Sequence, residues 1–84
     1  MTDAEYDIID ELYFVTSYAS LKEESGYSDE ELLVNLISLV NKGLVKVYAS
    51  MDEELGSDRV DLKNEFKSYS YLASKKGLFE HNRR

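Results

Sequence analysis

Ser28-Asp29-Glu30-Glu31-Leu32-Leu33-Val34-Asn35-Leu36-Ile37-Ser38-Leu39-Val40-Asn41-Lys42-Gly43-Leu44-Val45-Lys46-Val47 reads as a capped helix, a glycine stop and a strand. Ser28 and Glu31 have capping-box spacing, in which the hydroxyl takes the N3 amide and the Glu reaches back to the cap. Asp29, Glu30 and Glu31 suit the positive end of a helix dipole, and Lys42 suits the negative end. Leu32, Leu36, Leu39 and Val40 recur at helical spacing and supply a core stripe. Gly43 can take the left-handed conformation that closes helices. Beyond it residues 44–49 alternate, with Val45 and Val47 on one face and Leu44, Lys46 and Tyr48 on the other.

Upstream, Thr2-Asp3-Ala4-Glu5 is a second capping-box pattern. Ile8, Ile9, Leu12 and Tyr13 follow at helical spacing, which predicts a helix over residues 3–13. Phe14-Val15-Thr16 is short and β-prone. Ser17 then opens a helix carrying Tyr18, Ala19, Leu21 and Glu24, closed at Ser25-Gly26. Two helices joined by a tight glycine turn make a helix-turn-helix pattern. Downstream, residues 50–65 are acidic and turn-prone, and are expected as a mobile acidic wing or a short helical turn. Lys67 to Leu72 resumes alternation and is expected to pair antiparallel with residues 44–49. Ser74 caps a short last helix bearing Leu78 and Phe79, before a frayed end at residues 82–84.

With 84 residues, the chain suits a single domain spanning 1–84, and its 43% hydrophobic content is enough for one modest core. The absence of cysteine excludes disulfides, thiolate metal sites and a cysteine nucleophile, and fits a reducing compartment. No apolar run approaches membrane-spanning length, and no basic segment precedes an apolar stretch at the N-terminus, so a cytoplasmic protein is expected. Net charge is -7 and unevenly spread. Residues 1–31 hold ten acids against Lys22 alone, whereas residues 66–84 hold Lys67, Lys75, Lys76, Arg83 and Arg84 against Glu80. Such a chain repels nucleic acid and stays soluble.

Leu21, Gly26, Ser28, Leu32, Leu36, Leu39 and Gly43-Leu44-Val45 fall at the spacing of winged-helix proteins. Tyr71-Leu72-Ala73-Ser74-Lys75-Lys76-Gly77 is similar to the strand and helix that follow the wing in that superfamily. The chain thus resembles the MarR-type and ArsR-type bacterial domains over about residues 5–80. The resemblance implies an α+β, winged-helix-like fold: three helices, then a β-hairpin (the wing) and a short C-terminal helix. It also implies that the third helix would be the DNA-reading element of a dimeric transcriptional regulator, although function has to be argued from the site. On that reading Asn35, Ser38, Lys67, Lys75 and Lys76 would contact nucleic acid.

The residues at those positions favour a different role. Readers of DNA place donors on the exposed side of the third helix. Here the helix opens on three carboxylates, which disfavour phosphate docking because affinity for DNA rests largely on neutralised phosphates. Leu33, Val34 and Ile37 widen the apolar stripe onto the side a DNA reader leaves polar. Either residues 50–66 or the last helix fold over that side, or it binds a partner protein or a second copy. Tyr48, Tyr69 and Tyr71 are expected on the hairpin, as packed rings or as an aromatic interaction face.

Catalytic signatures are missing. His81 is expected to be exposed and inert. No phosphate loop, nucleophile elbow or His-rich metal motif is present. Counted from Asp52, the acidic turn fails the calcium-loop pattern, with its glycine one place early and Lys63 at the twelfth position. No cofactor and no enzymatic activity are expected.

Overall fold

The computed structural model describes residues 1–83. Helix α1 spans Asp3–Asp10, strand β1 Thr16–Ser17, α2 Tyr18–Ser25, and α3 Asp29–Asn41. Strands β2 (Val45–Ser50) and β3 (Glu53–Leu55) form a hairpin. A 3-10 turn at Ser57–Arg59, the one-turn helix α4 (Leu62–Glu65) and a second 3-10 turn at Phe66–Ser68 lead into β4 (Ser70–Ala73) and α5 (Lys75–Asn82). The result is an α+β arrangement with one antiparallel sheet in the order β1-β4-β2-β3. Among the described residues no helix is long and apolar enough to cross a membrane.

Local chemistry accounts for most boundaries. Both capping boxes form, with Thr2 and Glu5 exchanging bonds at α1 and Ser28 and Glu31 at α3. Gly26 and Gly43 end α2 and α3 at φ +74° and +73°, where a side chain would be strained. The Lys76 ammonium donates to the Lys42 carbonyl at the end of α3, 3.0 Å away, and satisfies a group the helix itself leaves unpaired.

Several boundaries differ from those expected. Helix α1 stops at Asp10 instead of residue 13 because Leu12 leaves the helical path: its carbonyl accepts the Ala73 amide at 2.8 Å while its side chain is fully buried. Strand β4 pairs antiparallel with β2 as expected, but only from Ser70 onward, since residues 66–68 turn before the strand begins, and the strand β3, which was not expected, pairs with the other edge of β2. Residues 50–65 hold β3, a turn and α4. Asn82, expected to fray, closes α5, and Arg84 lies outside the described residues.

The core lies between α1, α2, α3 and one face of the sheet. Ile8, Ile9, Leu12, Leu21, Leu32, Leu36 and Leu39 are fully buried and meet Val45, Val47, Tyr71 and Ala73. Val47 sits opposite both Leu55 and Tyr71, so the central strand carries the apolar register of the whole sheet.

Candidate protein-interaction surface

Helix α3 carries the surface of interest, and its roll about its own axis is fixed by two polar anchors. At its C-terminal half, Ser38 donates to Glu5 Oε2 at 2.8 Å and Lys42 reaches the same carboxylate at 3.0 Å. Burial on its own would raise the Glu5 pKa, but the Thr2 amide, Lys42 and Ser38 outweigh it and hold the group at about 2. At the N-terminal end Asp29 takes Lys22 at 2.8 Å, the Tyr18 hydroxyl at 2.6 Å and Lys67 at 3.2 Å. These partners, Lys22 foremost, hold its carboxyl well below the usual carboxylate range. Burial, and then the Asp29 carboxylate, push the Tyr18 phenol up.

Both anchors change readings made from the residues alone. Ser38 faces α1, so it is unavailable to a ligand on the outer side of α3. Asp29 does have basic neighbours, so the helix entrance is less negative than its run of three acids implies. Of the other residues a DNA contact would need, Asn35 donates to the Glu31 carbonyl at 2.7 Å. Lys67 is tied to Asp29, and Lys76 to the Lys42 carbonyl. Those attachment points are about 20 Å apart along α3. Lys67 and the Lys75–Lys76 pair therefore belong to opposite ends of the helix instead of one groove.

The outer side of α3 is partly covered. The chain between β3 and β4 returns across it, and a groove of about 420 Å³ lies where they meet. Ile37 and Val40 form one wall, Val60 and Leu62 the other, with Asn41, Asp61 and Lys63 on the rim. Leu33 and Ile37 are half-buried and pack against the core. Val34, one turn before Ile37 on the same side, is 66% exposed. The apolar excess of α3 is thus divided between cover from within the chain and an open residue.

The tyrosines do not form one exposed face. Tyr71 is fully buried with its hydroxyl donating to the Phe66 carbonyl at 2.6 Å, and burial pushes its pKa up. It is a core residue and is removed from any partner-binding set. The Tyr69 hydroxyl accepts the Asp61 amide at 3.0 Å and pins the start of α4. Tyr48 is half-buried on β2. The hairpin around it is acidic, with Glu54 paired to Lys46 and Glu53 to Arg59, and Met51 exposed at its turn.

His81 was missed. It is 6% exposed, stacked on Tyr6 at 4.1 Å between ring centroids, with Nδ1 2.9 Å from the Tyr13 hydroxyl. Its Nε2 lies 3.3 Å from Asp10 Oδ1 without an aligned hydrogen bond. The cluster joins α5 to α1. Nothing in the local sequence signals it, because its partners lie about seventy residues upstream.

No family model, no curated protein and no solved structure matches this chain.

Proposed function

We propose that the chain is a non-enzymatic, winged-helix-like protein-interaction module of the cytoplasm, holding apolar side chains of a partner protein against the outer side of α3. Support for the winged-helix reading comes from the order α1, β1, α2, α3 and then the β2–β3 hairpin, with β1 in the same sheet. One observation carries the interaction reading. The groove between α3 and the returning chain is walled by Ile37, Val40, Val60 and Leu62, and exposed Val34 lies one turn before Ile37 on the same helix. Its four aliphatic side chains suit an aliphatic or aromatic anchor, and Asn41, Ser57, Asp61 and Lys63 beside them offer polar partners for the rest of a bound peptide. Of the two surfaces the sequence offered, this one is preferred to the tyrosine hairpin, where Tyr69 is tied to Asp61, Tyr71 is buried and Tyr48 is half-buried.

Selection of a displayed peptide library against the whole chain tests this. Recovered peptides should share an apolar anchor and lose binding to Val34→Asp while retaining the wild-type melt. Peptides indifferent to Val34→Asp would remove the groove. A dimeric DNA-binding regulator is the second reading, favoured by the two lysines that neutralise Asp29. Anisotropy titration of duplex DNA at low salt separates the two, since salt-sensitive binding there would support the regulator.

A further inference from the structure

Residues 56–69 leave the sheet after β3 and re-enter it at β4, and neighbouring positions of β2 hold both ends. Leu55 pairs with Val47, and Ser70 pairs with Tyr48. The stretch is thus a loop of Ω type, its base about 10 Å wide and closed by a ladder that its own movement does not disturb. Its backbone bonds are local: the Arg59 amide donates to the Gly56 carbonyl, the Glu65 amide to Asp61 and the Phe66 amide to Leu62. Among the described residues no backbone hydrogen bond joins it to α3. Side chains make the contact instead. Leu62 is buried and Val60 half-buried, and the groove of about 420 Å³ lies between them and Ile37 and Val40. The two ends of the contact differ. At Phe66 the carbonyl accepts the buried Tyr71 hydroxyl at 2.6 Å, the ring sits edge-on to Tyr18, and Lys67 next to it pairs with Asp29. Residues 57–65 are held by Val60, Leu62 and one exposed hydrogen bond, from the Asp61 amide to the Tyr69 hydroxyl at 3.0 Å.

We propose that residues 57–65 are a strap that swings off α3 about Gly56 and Phe66 while the helices and the sheet stay folded, and that the closed strap competes with the partner for one apolar face. The competition rests on the interaction reading of α3 given above. Phe66 is the pivot because opening beyond it would strand the Tyr71 hydroxyl in the core without an acceptor. With the strap closed, Val34 is the only exposed apolar residue of α3, and Ile37 and Val40 are half-buried. Lifting Val60 and Leu62 away uncovers Ile37 and Val40, which with Val34 make an apolar face about 9 Å long. The strap itself shows what fits there. It presents two aliphatic side chains two residues apart, from a segment with no more than one helical turn. The partner is therefore a short segment of the same kind, with aliphatic residues at i and i+2. If the open form is roughly 0.1–1% of molecules, the closed strap weakens that partner's apparent affinity by about 100- to 1000-fold. Whatever loosens the strap then strengthens binding.

The chain has no cysteine, so a single engineered thiol reports on a single position. Labelling of Leu62→Cys by an aryl disulfide should be nearly independent of urea below the unfolding transition. Val47→Cys, inside the sheet, should be labelled only through global unfolding, with a steep urea dependence. Tyr69→Phe removes only the hydroxyl that holds the Asp61 amide, and should speed labelling at Leu62→Cys about three- to tenfold. Ile9→Val loosens the core alone, and should speed labelling at Val47→Cys by about the same factor while leaving Leu62→Cys unchanged. Equal urea dependence at the two thiols, or a Leu62→Cys rate that follows Ile9→Val, overturns the strap, because the segment then opens only with the whole chain. Exchange of the Glu65 amide against the Val47 amide in the unsubstituted chain makes the same comparison should Leu62→Cys not fold. Peptides recovered by the selection above should carry aliphatic residues two apart and bind Tyr69→Phe about three- to tenfold more tightly than wild type. Unchanged affinity alongside faster labelling overturns the competition and leaves the closed groove as the site. A selection that yields no Val34-dependent peptide removes the α3 site and the competition with it, while the labelling rates still decide whether the strap opens.

Discussion

Glu5 combines two tasks that its position in the sequence reveals only by half. As the N3 residue of a capping box it belongs to α1, yet its carboxylate also receives Ser38 and Lys42 from α3. Its folded pKa of about 2 lies below the ordinary 4.5, so its contribution to stability is fully present above pH 4.5 and is lost as pH falls through about 2. That contribution is roughly 2–3 kcal/mol. Acid titration of the urea midpoint should show this loss in wild type, and Glu5→Gln should be less stable at pH 7 with a flatter profile below pH 4.5. Gly77 makes a second demand at this scale. A β-carbon there would collide with the Leu44 carbonyl, which already accepts the Ser74 amide. Gly77→Ala should therefore lower Tm by about 10 °C, from roughly 2 kcal/mol of overpacking. A melt within a degree or two of wild type would show that α5 can move away from β2 without cost.

At the scale of elements, the segment between β3 and β4 determines what α3 exposes. It is built of short turns, and Leu62 is its one buried side chain, with Val60 and Phe66 partly buried against the core beside it. Leu62→Ala should cost about 2–3 kcal/mol. It should also speed amide exchange in residues 57–66 more than in β2, because the segment loses its apolar contact while the sheet keeps its ladder. Uniform acceleration across the chain would mean that this segment and the core unfold together. The two substitutions on α3 separate in the same way. Val34→Asp places a charge in solvent and should leave Tm unchanged, whereas Ile37→Asp puts a carboxylate among half-buried apolar groups and should lower Tm by several degrees. Equal melts for both variants would contradict the placement of Ile37 against the core.

For the whole molecule, the charge distribution acquires meaning only once α5 is placed. In sequence the acidic and basic segments lie at opposite ends of the chain. The fold sets α1 and α5 side by side, joined at His81, so the two ends of the chain meet. Around α3 and the β2–β3 hairpin, Lys22, Lys42, Lys46, Lys67 and Arg59 are engaged with carboxylates, while Lys63 stands on the groove rim. Binding to duplex DNA through that surface should therefore be weak even at low salt, as an anisotropy titration would show.

The sequence by itself determined the features whose causes lie within one turn of chain. These include both capping boxes, the glycine stops at Gly26 and Gly43, the start of α5 at Ser74, and the alternation that buries Val45 and Val47. Each depends on neighbours three or four residues away, so the residues name their own partners. Tertiary structure decided what covers α3, why α1 ends early, and which polar groups are buried. Ser38 found Glu5, Tyr71 found the Phe66 carbonyl inside the core, and His81 found Tyr6, Tyr13 and Asp10 across nearly the whole chain. Such contacts depend on how helices pack and on loop closure over tens of residues, which local pattern does not encode. The stretch from Ser28 to Val47 therefore kept its helix, stop and strand, while the side of that helix left open to solvent was chosen by the chain that folds back across it.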